Sequence, residues 1–213
     1  MALGAAGVVS HPAGTLFPML CLACTAPTGS MLCTGCVSQL SAAPETLLPT
    51  GQLVIGAFTH ATAARRLIHA LKYRGVSAAA EPFAAELAKR VPLSVTALVP
   101  VPRAAGRSIR YGIDPAGELA AAVGRRTGLP VVRGLGAPIW WRRHAGAGRS
   151  NRAPIGFRQR LPIPAGAALV DDVVTTGTTA MAASAALQGL PTLVLAATLA
   201  PKMRGGETPV EVA

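Results

Sequence analysis

Apolar positions along this chain fall into two kinds of block, short unbroken runs and longer stretches with helical spacing. Residues 53–58 of "LVIGAFTH" form an unbroken run and predict a strand. In "ATAARRLIHALKY", Ala64, Leu67, Ile68 and Leu71 make a helical stripe, and Gly75 stands where a C-terminal cap belongs. "AAAEPFAAELAKRV" predicts a second helix, and residues 95–101 a buried strand stopped by Pro102. The stretch "GIDPAGELAAAVGRRTG" reads as a helix with Asp114 as N-cap, Pro115 in the first turn and Gly128 at its end. "LPVVRGL" predicts a strand, "AGAALV" another, "TTAMAASAALQGL" a helix and "PTLVLAATLA" a last buried strand. Residues 37–51 read as a linker, residues 142–162 carry many arginines without an apolar period, and the polar tail from Pro201 is expected to be mobile.

Strands alternating with helices, and strands apolar throughout, predict an α/β fold with a mostly parallel sheet flanked by helices. The expected organisation is a zinc-binding segment and linker over 1–50, the sheet domain over 51–200 and the tail over 201–213. Parallel sheets bind ligands beyond the carboxyl ends of their strands. There lies "LVDDVVTTGTT", residues 169–179, with two adjacent carboxylates followed by small and hydroxylated residues.

Strand, turn and helix put Val174, Thr175, Thr176, Gly177, Thr178 and Thr179 at a helix N-terminus. The N–H groups there have no intrahelical partner, and the dipole favours an anion such as phosphate. The lysine and spacing of a Walker A loop are missing. Asp171 and Asp172, beside such a cradle, suit the two hydroxyls of a ribose. Adjacent carboxylates repel, so a cation or hydroxyl donors should accompany them. A capped helix with a solvated acid pair is the plainer alternative; it accounts for one aspartate only.

All four cysteines lie in "CLACTAPTGSMLCTGC": Cys21, Cys24, Cys33 and Cys36. Two CxxC turns can aim four thiolates at one centre, the ligand set of a structural zinc with no open coordination position. Two disulfides are the alternative, disfavoured without a secretory signal, and a redox role needs only one pair. A segment this small would draw much of its folding energy from the metal.

Composition sharpens the charge picture. The 213 residues hold 20 Lys plus Arg against nine acids, a formal net charge of +11, which favours anionic partners over none. Between Glu118 and Asp171 there are nine arginines and no acid, so a long cationic stretch ends at the carboxylate pair. No apolar window is long enough to span a membrane, and a cytoplasmic location is expected.

"ALVDDVVTTGTTA" resembles the phosphoribosyl-diphosphate (PRPP) motif of type I phosphoribosyltransferases. "LFPMLCLAC…CTGC", "ALKYRG" and "LVPVPRAAGRSIRYG", in that order over nearly the whole chain, resemble the ComF family. These are phosphoribosyltransferase-like proteins linked to bacterial DNA-uptake competence. The chain departs from the family in "RYGIDPA" and in "RRHAGAGRSNRAPIGF". The resemblance implies that Asp171 and Asp172 hold the ribose hydroxyls and that the 174–179 loop holds the 5′-phosphate. It places Arg103, Arg107 and Arg110 on the pyrophosphate, with Mg²⁺ accompanying PRPP. The stretch 142–160, with Arg142, Arg143, Arg149, Arg152, Arg158 and Arg160, is expected to act as a lid. The implied reaction transfers the phosphoribosyl group to an unknown acceptor and releases pyrophosphate.

Lys72, Tyr73 and Arg74 either enter the acceptor pocket or cap helical carbonyls. His69 and His144 are candidate bases, but a lone histidine is more often structural, and neither is favoured. The alternatives to a transferase are a non-catalytic competence protein binding single-stranded DNA and a PRPP sensor. For the first, Trp140 and Trp141 are the only paired aromatics that bases could stack on.

Overall fold

A computed structural model describes residues 19–103, 112–137, 156–189 and 191–200. In it the apolar runs become a five-stranded mixed sheet with helices on both faces. The chain starts with an antiparallel pair, β1 (Met19–Leu20) and β2 (Pro27–Thr28), and the single turn α1 (Thr34–Val37). Then come β3 (Thr46–Leu47), β4 (Leu53–Thr59), α2 (Thr62–Tyr73), a 3₁₀ turn (Ser77–Ala80), α3 (Glu81–Leu87) and β5 (Ala97–Pro100). After them run α4 (Pro115–Thr127), β6 (Leu135–Gly136), β7 (Arg158–Gln159), β8 (Ala167–Val174), α5 (Thr178–Ala186) and β9 (Leu193–Leu199). The sheet order is β3-β4-β9-β8-β5; β3 is antiparallel to β4, and the other three ladders are parallel.

The stripe on α2 buries Ala63, Ala64, Leu67, Ile68, Ala70 and Leu71, while Arg65, Arg66 and His69 stay exposed. That face packs with α3 and α4 on one side of the sheet, where Leu67, Leu71, Phe83, Leu87 and Leu119 are fully enclosed. Each such side chain contributes about 1.5–3 kcal/mol of transfer free energy. Helix α5 covers the opposite side, over Val99, Leu169 and Val194.

Several boundaries differ from the pattern. The linker expected over 37–51 supplies β3, and Ala43 and Leu48 sit in the core. The cysteine segment is not set apart: Cys21 and Cys36 belong to the same apolar cluster as α2 and α3. The helix expected over 78–91 is split, with a 3₁₀ turn before Glu81 and only seven α-helical residues, because Pro82 has no N–H to continue the first turn. The strand expected over 129–135 reduces to one parallel bridge, Val131 with Leu98, before the short pair β6–β7. Pro130 has no N–H to donate, which limits the ladder. The predicted helix over 178–190 stops at Ala186, where Gln188 (φ 57°) and Gly189 (φ 74°) turn left-handed. At the other end of the expected lid, Arg158 is tied into β7 and Phe157 is buried. Arg107, Arg110, Arg142, Arg143, Arg149, Arg152, His144, Trp140, Trp141 and the tail from Pro201 lie outside the described residues.

Candidate functional site

The strand expected to end before the carboxylates continues through them: β8 runs to Val174. On one side it pairs with β9 all along, with Asp171 opposite Ala196 and Val174 opposite Leu199. On the other side β5 stops at Pro100, opposite Val170, and a last bond runs from Val101 N–H to the Val170 carbonyl (2.9 Å). Residues 171–174 therefore overhang the end of β5, and the step so formed is a cleft of about 190 Å³. One wall is Asp171, Asp172, Val173 and Thr179; the other comes from the ends of α2 and β5 and the start of α4.

The two aspartates differ in setting. Asp172 is ion-paired with Lys72 Nζ at 2.8 Å, the cation that a carboxylate pair needs. Asp171 is 7% exposed, and its Oδ1 accepts the N–H of Asp172 at 2.8 Å. Burial raises the Asp171 carboxyl to about 7, with the Asp172 charge adding to it and the Asp172 N–H and Lys72 pulling the other way. Near neutral pH this carboxyl can donate or accept, which suits a sugar hydroxyl.

The loop after β8 opens α5 without any side-chain cap, so the first-turn N–H groups have no side chain bonded to them. Thr175, Thr176 and Thr178 are exposed, the last two linked through their hydroxyls at 2.9 Å, and Thr179 lines the cleft. Val174 is 2% exposed, so its side chain serves the core. Gly177 sits at φ 73°, and a Cβ there would overlap Leu48. The glycine is thus required by the turn's own packing, not only by close approach of a ligand. Gly177→Ala is expected to lower stability by about 2 kcal/mol, read from denaturant melts.

Arg103 donates from Nη1 to the Lys72 carbonyl (3.0 Å) and lies over the Tyr73 ring, 5.8 Å from its centroid. It lines the cleft while closing the end of α2. Of residues 72–74, Lys72 and Tyr73 line the cleft, and Arg74 stands at the C-cap position with its N–H on the Ala70 carbonyl (3.1 Å). His69 is exposed and stacks beside Tyr73, centroids 4.6 Å apart.

Two residues near the cleft carry no site role in the sequence reading. His60, at the carboxyl end of β4, bonds through Nδ1 with Thr198 Oγ1 (2.9 Å). Burial holds its pKa below the ordinary value, with Lys72 and Arg65 adding to the effect and Asp172 opposing it. The signal was positional, since every parallel strand ends on this rim. Asp114 is the N-cap residue of α4 by backbone geometry; its side chain, paired with Arg133 at 3.5 Å, also lines the cleft.

A second constellation lies at the chain's start. The Sγ atoms of Cys21, Cys24, Cys33 and Cys36 lie within 4.8 Å of one another, and all four thiols are free. Cys24 and Cys33 are 3.6 Å apart, far beyond a disulfide bond and close to the edge of a tetrahedron around zinc. The thiolates have outer partners, Cys33 N–H on Cys21 Sγ (3.4 Å) and Arg66 Nη2 4.0 Å from Cys36 Sγ. Four cysteines so placed can hold a metal ion such as zinc. Among the described residues no helix is long and apolar enough to cross a membrane. No family model matches the chain, and no curated protein matches it, so any reading of its function stands on the cleft and the thiol cluster themselves.

Proposed function

We propose that the chain is a PRPP-binding protein of the ComF type, built on a type I phosphoribosyltransferase fold, with zinc in the cysteine cluster. One arrangement carries the reading: a carboxylate pair overhanging the end of β5, balanced by Lys72, beside a helix start that no side chain caps. In this reading Asp171 and Asp172 take the ribose hydroxyls, and the 175–179 amides and hydroxyls take the 5′-phosphate. Mg²⁺, which prefers phosphate and water oxygens, would accompany the diphosphate.

The reaction this supports is displacement at C1 of the ribose. A nucleophile bonds to C1, the C1–O bond breaks, and the electron pair leaves with pyrophosphate. Positioning and charge placement carry most of the barrier reduction in such a step.

With PRPP and Mg²⁺ the melting temperature is expected to rise. Ligand at about a hundredfold over its dissociation constant adds about 2.7 kcal/mol, a shift of several degrees for a chain of this size. Asp171→Asn combined with Asp172→Asn is expected to abolish that shift. A wild-type melting curve that PRPP leaves unmoved removes the reading.

A further inference from the structure

Helix α5 has little relief of its own with which to fix its setting on the sheet. Its buried residues are Ala180, Ala183 and Ser184, and such short side chains neither interdigitate deeply nor lock a helix rotation. Yet its first residues are the ones that would hold a phosphate, and amides aim only as well as the helix axis is held. Two side chains from the turn between β3 and β4 supply what the alanines lack. Leu48 is buried against Gly177, so closely that it fills the place a Cβ would take there. Gln52, also buried, donates from Nε2 to Ser184 Oγ at 2.8 Å.

The two contacts are spaced to act together. Gly177, Ala180 and Ser184 follow one another at intervals of three and four, so they share one face of α5. Seven residues of helix rise about 10 Å, so the turn meets α5 at its N-cap and again two turns on. The turn is itself held. Leu48 N–H bonds to the Gln52 carbonyl (2.9 Å), Gly51 N–H to the Leu48 carbonyl (2.8 Å), and the Thr50 hydroxyl to Gln52 Oε1. Just beyond it, Leu53 N–H bonds to the Thr192 carbonyl (2.9 Å), and Ser184 Oγ donates to the Pro191 carbonyl at 3.3 Å. The β3–β4 turn, the last turn of α5 and the chain entering β9 thus form one hydrogen-bonded cluster. Ser184 and Gln52 are both buried, so breaking their bond leaves polar atoms unmet.

We propose that Leu48 and Gln52 are positioning residues for the 5′-phosphate: the turn at 48–52 braces α5 along one face and so fixes the direction of the amides at 175–179. The inference rests on the PRPP reading above and adds to it two residues buried behind the loop. Leu48 acts at the N-cap, where a displacement reaches the cradle undiminished. Gln52 acts two turns away, where it sets the tilt of the helix. Shortening Leu48 lets the glycine turn settle toward the emptied space, and removing the Gln52 amide frees the far end. Either change moves the cradle relative to Asp171 and Asp172, which β8 carries and which do not follow α5. The diol and the 5′-phosphate of one ligand are then no longer met at once.

The test uses the full chain with Leu48→Ala, Leu48→Met and Gln52→Leu. Leu87→Ala serves as a stability control, since Leu87 is fully buried on the opposite side of the sheet. Binding of PRPP, ribose 5-phosphate and pyrophosphate, each with Mg²⁺, is measured by calorimetry well below every melting temperature. Leu48→Ala and Gln52→Leu are each expected to weaken PRPP and ribose 5-phosphate about tenfold, while pyrophosphate, which has no 5′-phosphate to seat, binds as it does to wild type. Leu48→Met, which nearly keeps the volume, is expected to bind all three as wild type does. Leu87→Ala is expected to melt lower, as Leu48→Ala does, without losing affinity for ribose 5-phosphate. Should Leu48→Ala fail to fold, Gln52→Leu decides. Unchanged ribose 5-phosphate binding in Gln52→Leu, equal losses for all three ligands, or an equal loss in Leu87→Ala overturns the proposal while leaving PRPP binding intact. A wild type that binds neither PRPP nor ribose 5-phosphate overturns the underlying reading, and this inference falls with it.

Discussion

Cys36→Ser is expected to strip the metal from the chain and to lower the stability of the whole sheet domain. Cys36 is 2% exposed and Cys21 1%, and both are part of the cluster that α2 and α3 bury against the sheet. Their thiols also perturb one another. Burial pushes Cys36 up to about 12, and the other three cysteines add to it. Burial would raise Cys21 too, but the N–H groups of Cys24, Cys33 and Ala23 bring it down to about 6. One thiolate is therefore easy to form and the last is hard, unless a divalent cation offsets the repulsion. Structural zinc in such sites supplies roughly 10–16 kcal/mol of apparent binding free energy at neutral pH, so losing one ligand is costly. The expected loss is at least about 3 kcal/mol, a fall of roughly 10 °C in melting temperature. Elemental analysis should find about one zinc per wild-type chain and much less in the variant. A chelator should lower the wild-type melting curve and barely move the variant's. A variant that keeps its zinc, or a wild type indifferent to the chelator, defeats this account.

Helices α2 and α4 were legible because their apolar spacing and terminal glycines are local features; Gly128, at φ 76°, ends α4 where the pattern puts it. The central strands were legible because they are apolar along their whole length. The cysteine cluster was legible because two CxxC turns need little beyond their spacing. What the chain does not show locally is pairing. Thr46 and Leu47 look like linker until β4 lies beside them, and 129–135 look like a strand until a neighbour leaves them a single bridge. The same limit governed the site. "DD" after an apolar run marks a strand end, but the overhang that makes a cleft depends on where β5 stops. Asp114 read as a cap because capping is the local rule. That it also lines the cleft appears only when α4 is set against β8.

Asp171→Asn is expected to make the free protein more stable at neutral and alkaline pH and, on the function proposed above, to weaken PRPP binding, an opposition that a merely structural aspartate would not produce. The sign follows from linkage. In the folded chain burial and the Asp172 charge raise Asp171 from 3.8 to about 7. Between those two pH values the folded chain holds a proton that the unfolded chain has released, so stability falls as pH rises through that window and levels off above it. A pKa raised by about three units corresponds to roughly 4 kcal/mol at full development, and relaxation of the site brings the expected gain to about 2 kcal/mol. Asparagine cannot ionise, yet its side-chain oxygen can still accept the Asp172 N–H, so the variant keeps the local geometry without the penalty. Denaturant melts at pH 4 should then nearly coincide for wild type and variant, and at pH 8 the variant should be the more stable. Asp114, also raised by burial, adds a slope of the same sign in both proteins; its charge interacts with that of Asp171, so part of that slope stays in the difference. The Lys72–Asp172 pair remains in the variant, so the cleft keeps its other carboxylate. Curves that run parallel from pH 4 to pH 8 would mean that Asp171 is ionised at no cost in the fold, and the buried carboxyl would then have no tension for a sugar hydroxyl to relieve.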